Sequence, residues 1–173
     1  KIEFPHFVGT IDSFINKYIF FPYVNLLGFD PEKVEMIGEP YGRYYGWFRS
    51  QKCALKLKYA VDGTLNLPAG SAREYDATTL QKAKEIKKKV IENHKFTQSD
   101  ANYYALRILT EYPEVIEIVS GRFPYLYLDE AQDTTPIHWE IIKKLSTHKN
   151  NERFGVIGDP DQSIYTWNGA LPS

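Results

Sequence analysis

The chain contains a single cysteine, Cys53, so it can form no disulfide within itself and no cysteine-built zinc site. A lone thiol fits a reducing compartment, and a cytoplasmic location is the expectation. Four histidines, His6, His94, His138 and His148, show no metal-ligand spacing. Charge of one sign is lacking too. The 21 basic residues are matched by 22 acidic ones, so no global field draws the chain onto nucleic acid, and any such binding must come from local patches. No apolar run approaches the roughly 17–25 residues that span a bilayer, and Lys1-Ile2-Glu3-Phe4 has no signal-peptide character, so no membrane partner is expected. None of the eleven glycines is followed by Lys-Ser or Lys-Thr, so the chain holds no phosphate loop of the GxxxxGKS or GxxxxGKT form. With no initiator Met and an end just beyond a dense motif, the sequence reads as a piece of something longer.

What is present suits a folded protein: 173 residues, 43% of them hydrophobic, can fill one sizeable core or two small lobes with a shared interface. Residues 10–21, TIDSFINKYIFF, place Ile11, Phe14, Ile15, Tyr18 and Ile19 at helical spacing, with Thr10 or Asp12 as the cap. From Pro22 to about Thr79 the pattern is irregular, and CALKLKYAVDGTLNL shows two alternating runs around Asp62-Gly63, a hairpin signal. The aromatic cluster YGRYYGWF, residues 41–48, is either a base-stacking surface or packing for a small β-layer. Residues 80–95 form a lysine-rich helical stretch, a solvated face or a phosphate contact that would include Lys87 and Lys88. Ser99 or Asp100 can cap a helix to about Tyr112 whose apolar side carries Ala101, Tyr104, Ala105, Ile108 and Leu109, and Pro113 opens a further helix.

The last third has a β-α-β pattern: a strand over residues 125–129, a helix over 136–146 and a strand over 154–157. Continuous apolar strands imply burial on both faces and a mainly parallel α/β sheet. Ligands of such sheets sit at the carboxyl ends of strands, where Asp129 and Gly158 fall. The run YLYLDEAQD therefore gathers three carboxylates and an amide at a strand mouth, where covered like charges would be costly. Nucleotide hydrolysis would explain the arrangement: one carboxylate holds Mg²⁺, usually through water, and the next orients and deprotonates the attacking water. Capping of the following helix is the other reading. VIGDPDQSIYTWNGA, residues 156–170, follows a glycine turn with two aspartates, Gln162, and then Tyr165 and Trp167 two residues apart. This segment is either a γ-phosphate sensor joined to a base-stacking pair or a packed core element.

YLYLDEAQDTT followed by VIGDPDQSIYTWNGA resembles motifs II and III of the UvrD/Rep-type superfamily 1 DNA helicases, and GTIDSF, residues 9–14, resembles their motif Ib. The resemblance implies an α/β fold, part of a RecA-like P-loop NTPase motor domain with a parallel sheet and an inserted, mainly helical subdomain that includes the hairpin. It divides the chain into a motor segment at 1–21, an insertion at 22–112 and a second motor segment at 113–173. It implies ATP and Mg²⁺ as cofactors, with Asp129 as metal ligand, Glu130 as catalytic base, Gln162 reading the γ-phosphate, and Gln132, Asp133 and Asp159 coupling the site to its neighbours. Thr10, Ser13, Tyr165 and Trp167 are implied to line the path of single-stranded DNA. The implied function is a 3′ to 5′ helicase or translocase of the DNA-repair type, acting at duplex junctions with the remaining motor domains of the same polypeptide. The phosphate loop lies upstream of motif Ib in this family, so the chain alone is expected to be inactive. Two positions depart from the pattern: Asp12 stands where His is usual, adding negative charge, and Asn168 where Arg is usual, removing positive charge. These departures leave open a non-catalytic DNA-binding or protein-interaction module derived from such a domain.

Overall fold

The computed structural model describes residues 6–38, 49–68, 70–71 and 74–158. The aromatic cluster at 41–48 and the site residues Asp159, Gln162, Tyr165, Trp167 and Asn168 lie outside them.

Helix α1, Ile11–Ile15, starts where expected, with Thr10 as its cap: the Thr10 side chain accepts from the Ser13 N–H. It runs on without a break through a π-helical stretch, Asn16–Phe20, and α2, Phe21–Tyr23. The wide turn comes just before Pro22, whose ring offers no N–H to close an ordinary helical bond onto Tyr18. A 3₁₀ turn, Val24–Leu27, then ends at Gly28, whose φ of 84° is accessible at little cost only to glycine. Ile15, Ile19, Phe20 and Val24 are fully buried along this rod.

Strand β1, Glu35–Met36, leads to α3, Arg49–Lys56, and the short hairpin β2, Lys58–Tyr59, with β3, Leu65–Asn66. The hairpin turns at Asp62-Gly63 as expected: Asp62 accepts from the Thr64 N–H and hydroxyl, and Gly63 has φ 84°. Its first arm is shorter than the alternation suggested, because Cys53, Ala54 and Leu57 also fall on one helical face and bury it against Ala83. A short apolar run fits either period, and helix packing decided this one.

Helix α4, Ala77–Glu92, is capped by Asp76 and followed by β4, Lys95–Phe96, which pairs parallel with β1. Helix α5, Gln98–Glu111, is capped by neither Ser99 nor Asp100 alone. Thr97 is the cap, and Asp100 returns the hydrogen bond in a capping box. The apolar side of α5 is the expected one, and it sits at the centre of the main core with Ile15, Ile19, Val115, Val119, Ile141 and Leu145. Helix α6, Pro113–Arg122, precedes β5, Tyr125–Leu128; helix α7, Pro136–Ser146, and β6, Arg153–Val156, complete the β-α-β unit.

Strands β5 and β6 are parallel, with Leu128 opposite Val156. Burial on both faces does not hold for the described residues. Tyr125 and Tyr127 are 56% and 62% exposed, and Ile157 is 60% exposed, whereas Leu126 packs against the core. Side chains alternate between faces, and among the described residues one face is covered while the other is open. Tyr127 lies over Gly155, where an added Cβ would come within 2.7 Å of its ring. The fold is thus a mixture of helices and short sheets, two of them parallel. Among the described residues no helix is long and apolar enough to cross a membrane.

Candidate functional site

The segment after β5 folds back across the end of β6. The Ile157 N–H donates to the Leu128 carbonyl at 2.8 Å, and the Ala131 N–H donates to the Ile157 carbonyl at 3.1 Å. This crossing turns at Glu130, whose φ of 51° and ψ of 43° place a non-glycine residue in the left-handed region. Such a conformation costs on the order of 1–2 kcal/mol and persists only where neighbours hold it. Three contacts do so here. Asp129 Oδ1 accepts the Glu130 N–H at 2.9 Å, the Gln132 side-chain amide donates to the Glu130 carboxylate, and the Asp133 N–H donates to the Glu130 carbonyl at 3.0 Å. Gly158 completes the fit, since a Cβ there would meet Gln132 Oε1 at 2.8 Å and the Ala131 nitrogen at 3.2 Å.

The structure therefore brings Asp129, Glu130 and Gln132 together at the carboxyl ends of two adjacent parallel strands, with Asp133 one turn on. Asp129, Glu130 and Asp133 are exposed and Gln132 is half-buried. Crowded carboxylates are costly when covered; exposed to water as they are here, their repulsion is weak and screened. Helix capping does not explain them, because the cap of α7 is Thr135, whose side chain accepts from the His138 N–H. As to Mg²⁺, exposed carboxylate oxygens are the donors it takes, one or two at a time, with water and phosphate completing the shell. Asp129 fits that requirement. Among the described residues no group of three or more His, Cys, Asp or Glu could form an all-protein metal cage.

Thr10 and Ser13 are exposed, their hydroxyls 2.8 Å apart. Between them Asp12 is turned toward the protein. Its Oδ1 accepts from Asn102 Nδ2 on α5 at 2.8 Å and lies 2.9 Å from His138 Nε2 on α7. The His138 hydrogen bond, with help from Asn102 and against partial burial, holds the Asp12 carboxyl below its ordinary range. The charge that Asp12 brings is thus engaged inside the protein, by Asn102 directly and by His138, whose Nε2 also lies 2.7 Å from Asn102 Nδ2. On the lysine-rich helix, Lys87 is no part of a solvated face: it is fully buried and paired with the equally buried Asp100 at 2.7 Å. Lys82, Lys84, Lys88 and Lys89 are exposed. Sequence reasoning missed His138, Asn102 and the Lys87–Asp100 pair. Their signal was a polar residue on an otherwise apolar helix face: His138 lies among Ile137, Ile141 and Leu145.

The UvrD/REP helicase N-terminal domain family matches residues 46–173. The ATP-dependent DNA helicase PcrA of Bacillus subtilis (strain 168) is 32% identical over 96 residues, which cover 56% of this chain and 13% of that protein. The probable DNA helicase II homolog of Mycoplasma capricolum subsp. capricolum is 32% identical over 81 residues, 47% of this chain and 11% of that protein. PcrA of Staphylococcus aureus (strain Mu50) is 38% identical over 65 residues, 38% of this chain and 9% of that protein. The matched part is thus only about a tenth of the length of these relatives.

Proposed function

Because the chain belongs to the UvrD/REP helicase N-terminal domain family, we propose that it is the middle part of the first motor domain of an ATP-dependent DNA helicase. The observation that carries this reading is the strand-end loop, where Asp129, Glu130 and Gln132 meet at the carboxyl ends of β5 and β6, held by hydrogen bonds among themselves, with Gly158 leaving the room they need. In an α/β sheet that is where a nucleotide binds. Asp129 would hold Mg²⁺ and Glu130 would orient the attacking water and accept its proton, with Gln132 fixing the Glu130 carboxylate. When bound, the metal would offset negative charge on the β- and γ-phosphates. Asp133 and Asp159 would couple this loop to adjoining segments, Gln162 would read the γ-phosphate, and Tyr165 and Trp167 would stack on unpaired bases. Thr10 and Ser13 would border the same strand.

The RecA-like sheet, the 3′ to 5′ direction and the division at residues 21 and 112 come from the family resemblance and belong to the proposal. Within it, α5 is the part of the insertion that packs on both motor segments, through Ile15, Ile19 and Ile141. A non-catalytic module would need the departures from the family pattern to have disabled the site. Asp12 no longer supports that reading, since its carboxylate is held by Asn102 and His138.

The test compares ATP turnover by the complete polypeptide and by residues 1–173 alone, each with and without single-stranded DNA. The complete protein should show DNA-stimulated turnover. The chain alone should show none, because it lacks the backbone cradle and lysine that hold the triphosphate. No stimulated turnover in the complete protein would refute the helicase assignment, and turnover by the chain alone would refute the fragment's predicted inactivity.

A further inference from the structure

The first turn of α1 is the free end of its helical rod, and helix ends fray unless side chains hold them. Ile15 anchors its far end in the core. Its near end, which carries the exposed Thr10 and Ser13 hydroxyls, is tied by Asp12, whose two polar neighbours, Asn102 and His138, come from two different helices. Asn102 is buried on α5 and belongs to a chain of amides: Gln98 donates to its Oδ1 at 3.0 Å, and Asn16 donates back to Gln98 at 2.8 Å. His138 is buried on the first turn of α7, eight residues beyond Glu130 and directly after the strand-end loop.

The chemistry of the imidazole shows what it is doing there. Its Nε2 lies 2.9 Å from Asp12 Oδ1 and 2.7 Å from Asn102 Nδ2: carrying the proton, it donates to Asp12, and without the proton it accepts from Asn102, which itself donates to Asp12, so in both tautomers the ring closes on the Asp12 carboxylate. Nδ1 is buried with no hydrogen-bond partner among the described residues. An unsatisfied buried nitrogen is a cost that an apolar residue at this place on α7 would not incur. The polar contacts that the ring does make are those of Nε2, with Asp12 and Asn102.

We infer that His138 is a positioning residue: by holding Asp12, it fixes the Thr10–Ser13 turn against the helix that follows the Asp129–Glu130 loop. This assigns Asp12 and His138 to one device, a charge at the turn and its internal partner. The consequence for DNA rests on the reading above that this turn borders the single strand. Loosening the turn should weaken the apparent DNA affinity while leaving the plateau turnover at saturating DNA in place.

The experiment uses the complete protein, with His138→Ala and His138→Gln beside wild type. Gln keeps both a side-chain donor for Asp12 and an acceptor for Asn102; Ala keeps neither. Amide hydrogen exchange at Ser13 and Phe14 reads the turn directly, independently of catalysis. His138→Ala should speed that exchange roughly tenfold or more, the factor expected for losing a hydrogen bond to a carboxylate, and His138→Gln should stay near wild type. In DNA-stimulated ATP turnover, His138→Ala should raise the DNA concentration for half-maximal stimulation by about the same factor, with kcat at saturating DNA little changed, and Gln should restore it. Unchanged exchange at Ser13 and Phe14 in His138→Ala would overturn the positioning role. Faster exchange with unchanged DNA dependence would overturn its link to DNA. Complete protein that shows no DNA-stimulated turnover would refute the helicase reading alone, and the exchange result would still decide whether His138 positions the turn.

Discussion

Replacing Lys87 should destabilise the fold rather than remove a phosphate contact. Its ammonium lies 2.7 Å from Asp100, and both side chains are fully buried. Asp100 also accepts from the Thr97 N–H at 2.8 Å and its hydroxyl at 2.7 Å, while its other oxygen has no hydrogen-bond partner among the described residues. Truncation to Ala would leave a carboxylate in the core with two neutral donors and no counter-charge, a loss of about 3–5 kcal/mol. For a domain of this size that is roughly 6–20 °C in melting temperature. The double variant Lys87→Met with Asp100→Asn removes both charges, keeps an acceptor for Thr97, and should recover most of the loss. Lys88→Ala, one residue along but exposed, should melt within about 0.5 kcal/mol of wild type. If α4 meets phosphates, Lys88→Ala should instead lower the salt slope of DNA binding by about one. Melting and salt-dependent binding measured on the same samples would separate the two positions. A Lys87→Ala protein that melts like wild type and binds DNA less tightly would refute the buried-pair argument.

Trp167→Ala in the complete protein should weaken binding to mixed-sequence single strands by about tenfold to a hundredfold, the usual worth of one base stack, with little change in salt slope. Unchanged affinity with a large fall in melting temperature would make Trp167 a core residue. Asp12 has a folded-state pKa held below its ordinary value of 3.8, so the stability it contributes is present above that value and is lost as pH falls through the lower one. Asp12→Asn should therefore flatten the acid limb of a melting-temperature profile below about pH 4. An acid limb identical to wild type would show that Asp12 gains nothing from His138 and Asn102.

Much of the β-α-β unit was legible because its signals are local: two apolar runs with a capped, Pro-initiated helix between them, and Gly158 at the second strand end. The motif carried the carboxylates to those ends without help from the structure. Burial was less legible. The alternation that exposes Tyr125 and Tyr127 depends on what covers each face, and neighbouring residues do not reveal that. Cys53 to Leu57 satisfied a strand period and a helix period at once, and contact with Ala83 on another helix settled it. Asp12 looked like a bare negative charge because its partners, Asn102 and His138, lie 90 and 126 positions away. Lys87 looked like its exposed neighbours because nothing in its own stretch marks Asp100 as its partner. Glu130 gave no sign of its left-handed backbone, which follows from the loop's crossing over β6.

The central claim rests on Glu130, and single-turnover ATP hydrolysis by the complete protein with Glu130→Gln tests it most directly. The amide keeps the shape and can still meet Gln132, but it cannot accept a proton. Hydrolysis should fall by about a hundredfold or more while ATP binding stays close to wild type. Near-normal hydrolysis in Glu130→Gln would contradict the account and remove Glu130 as the base.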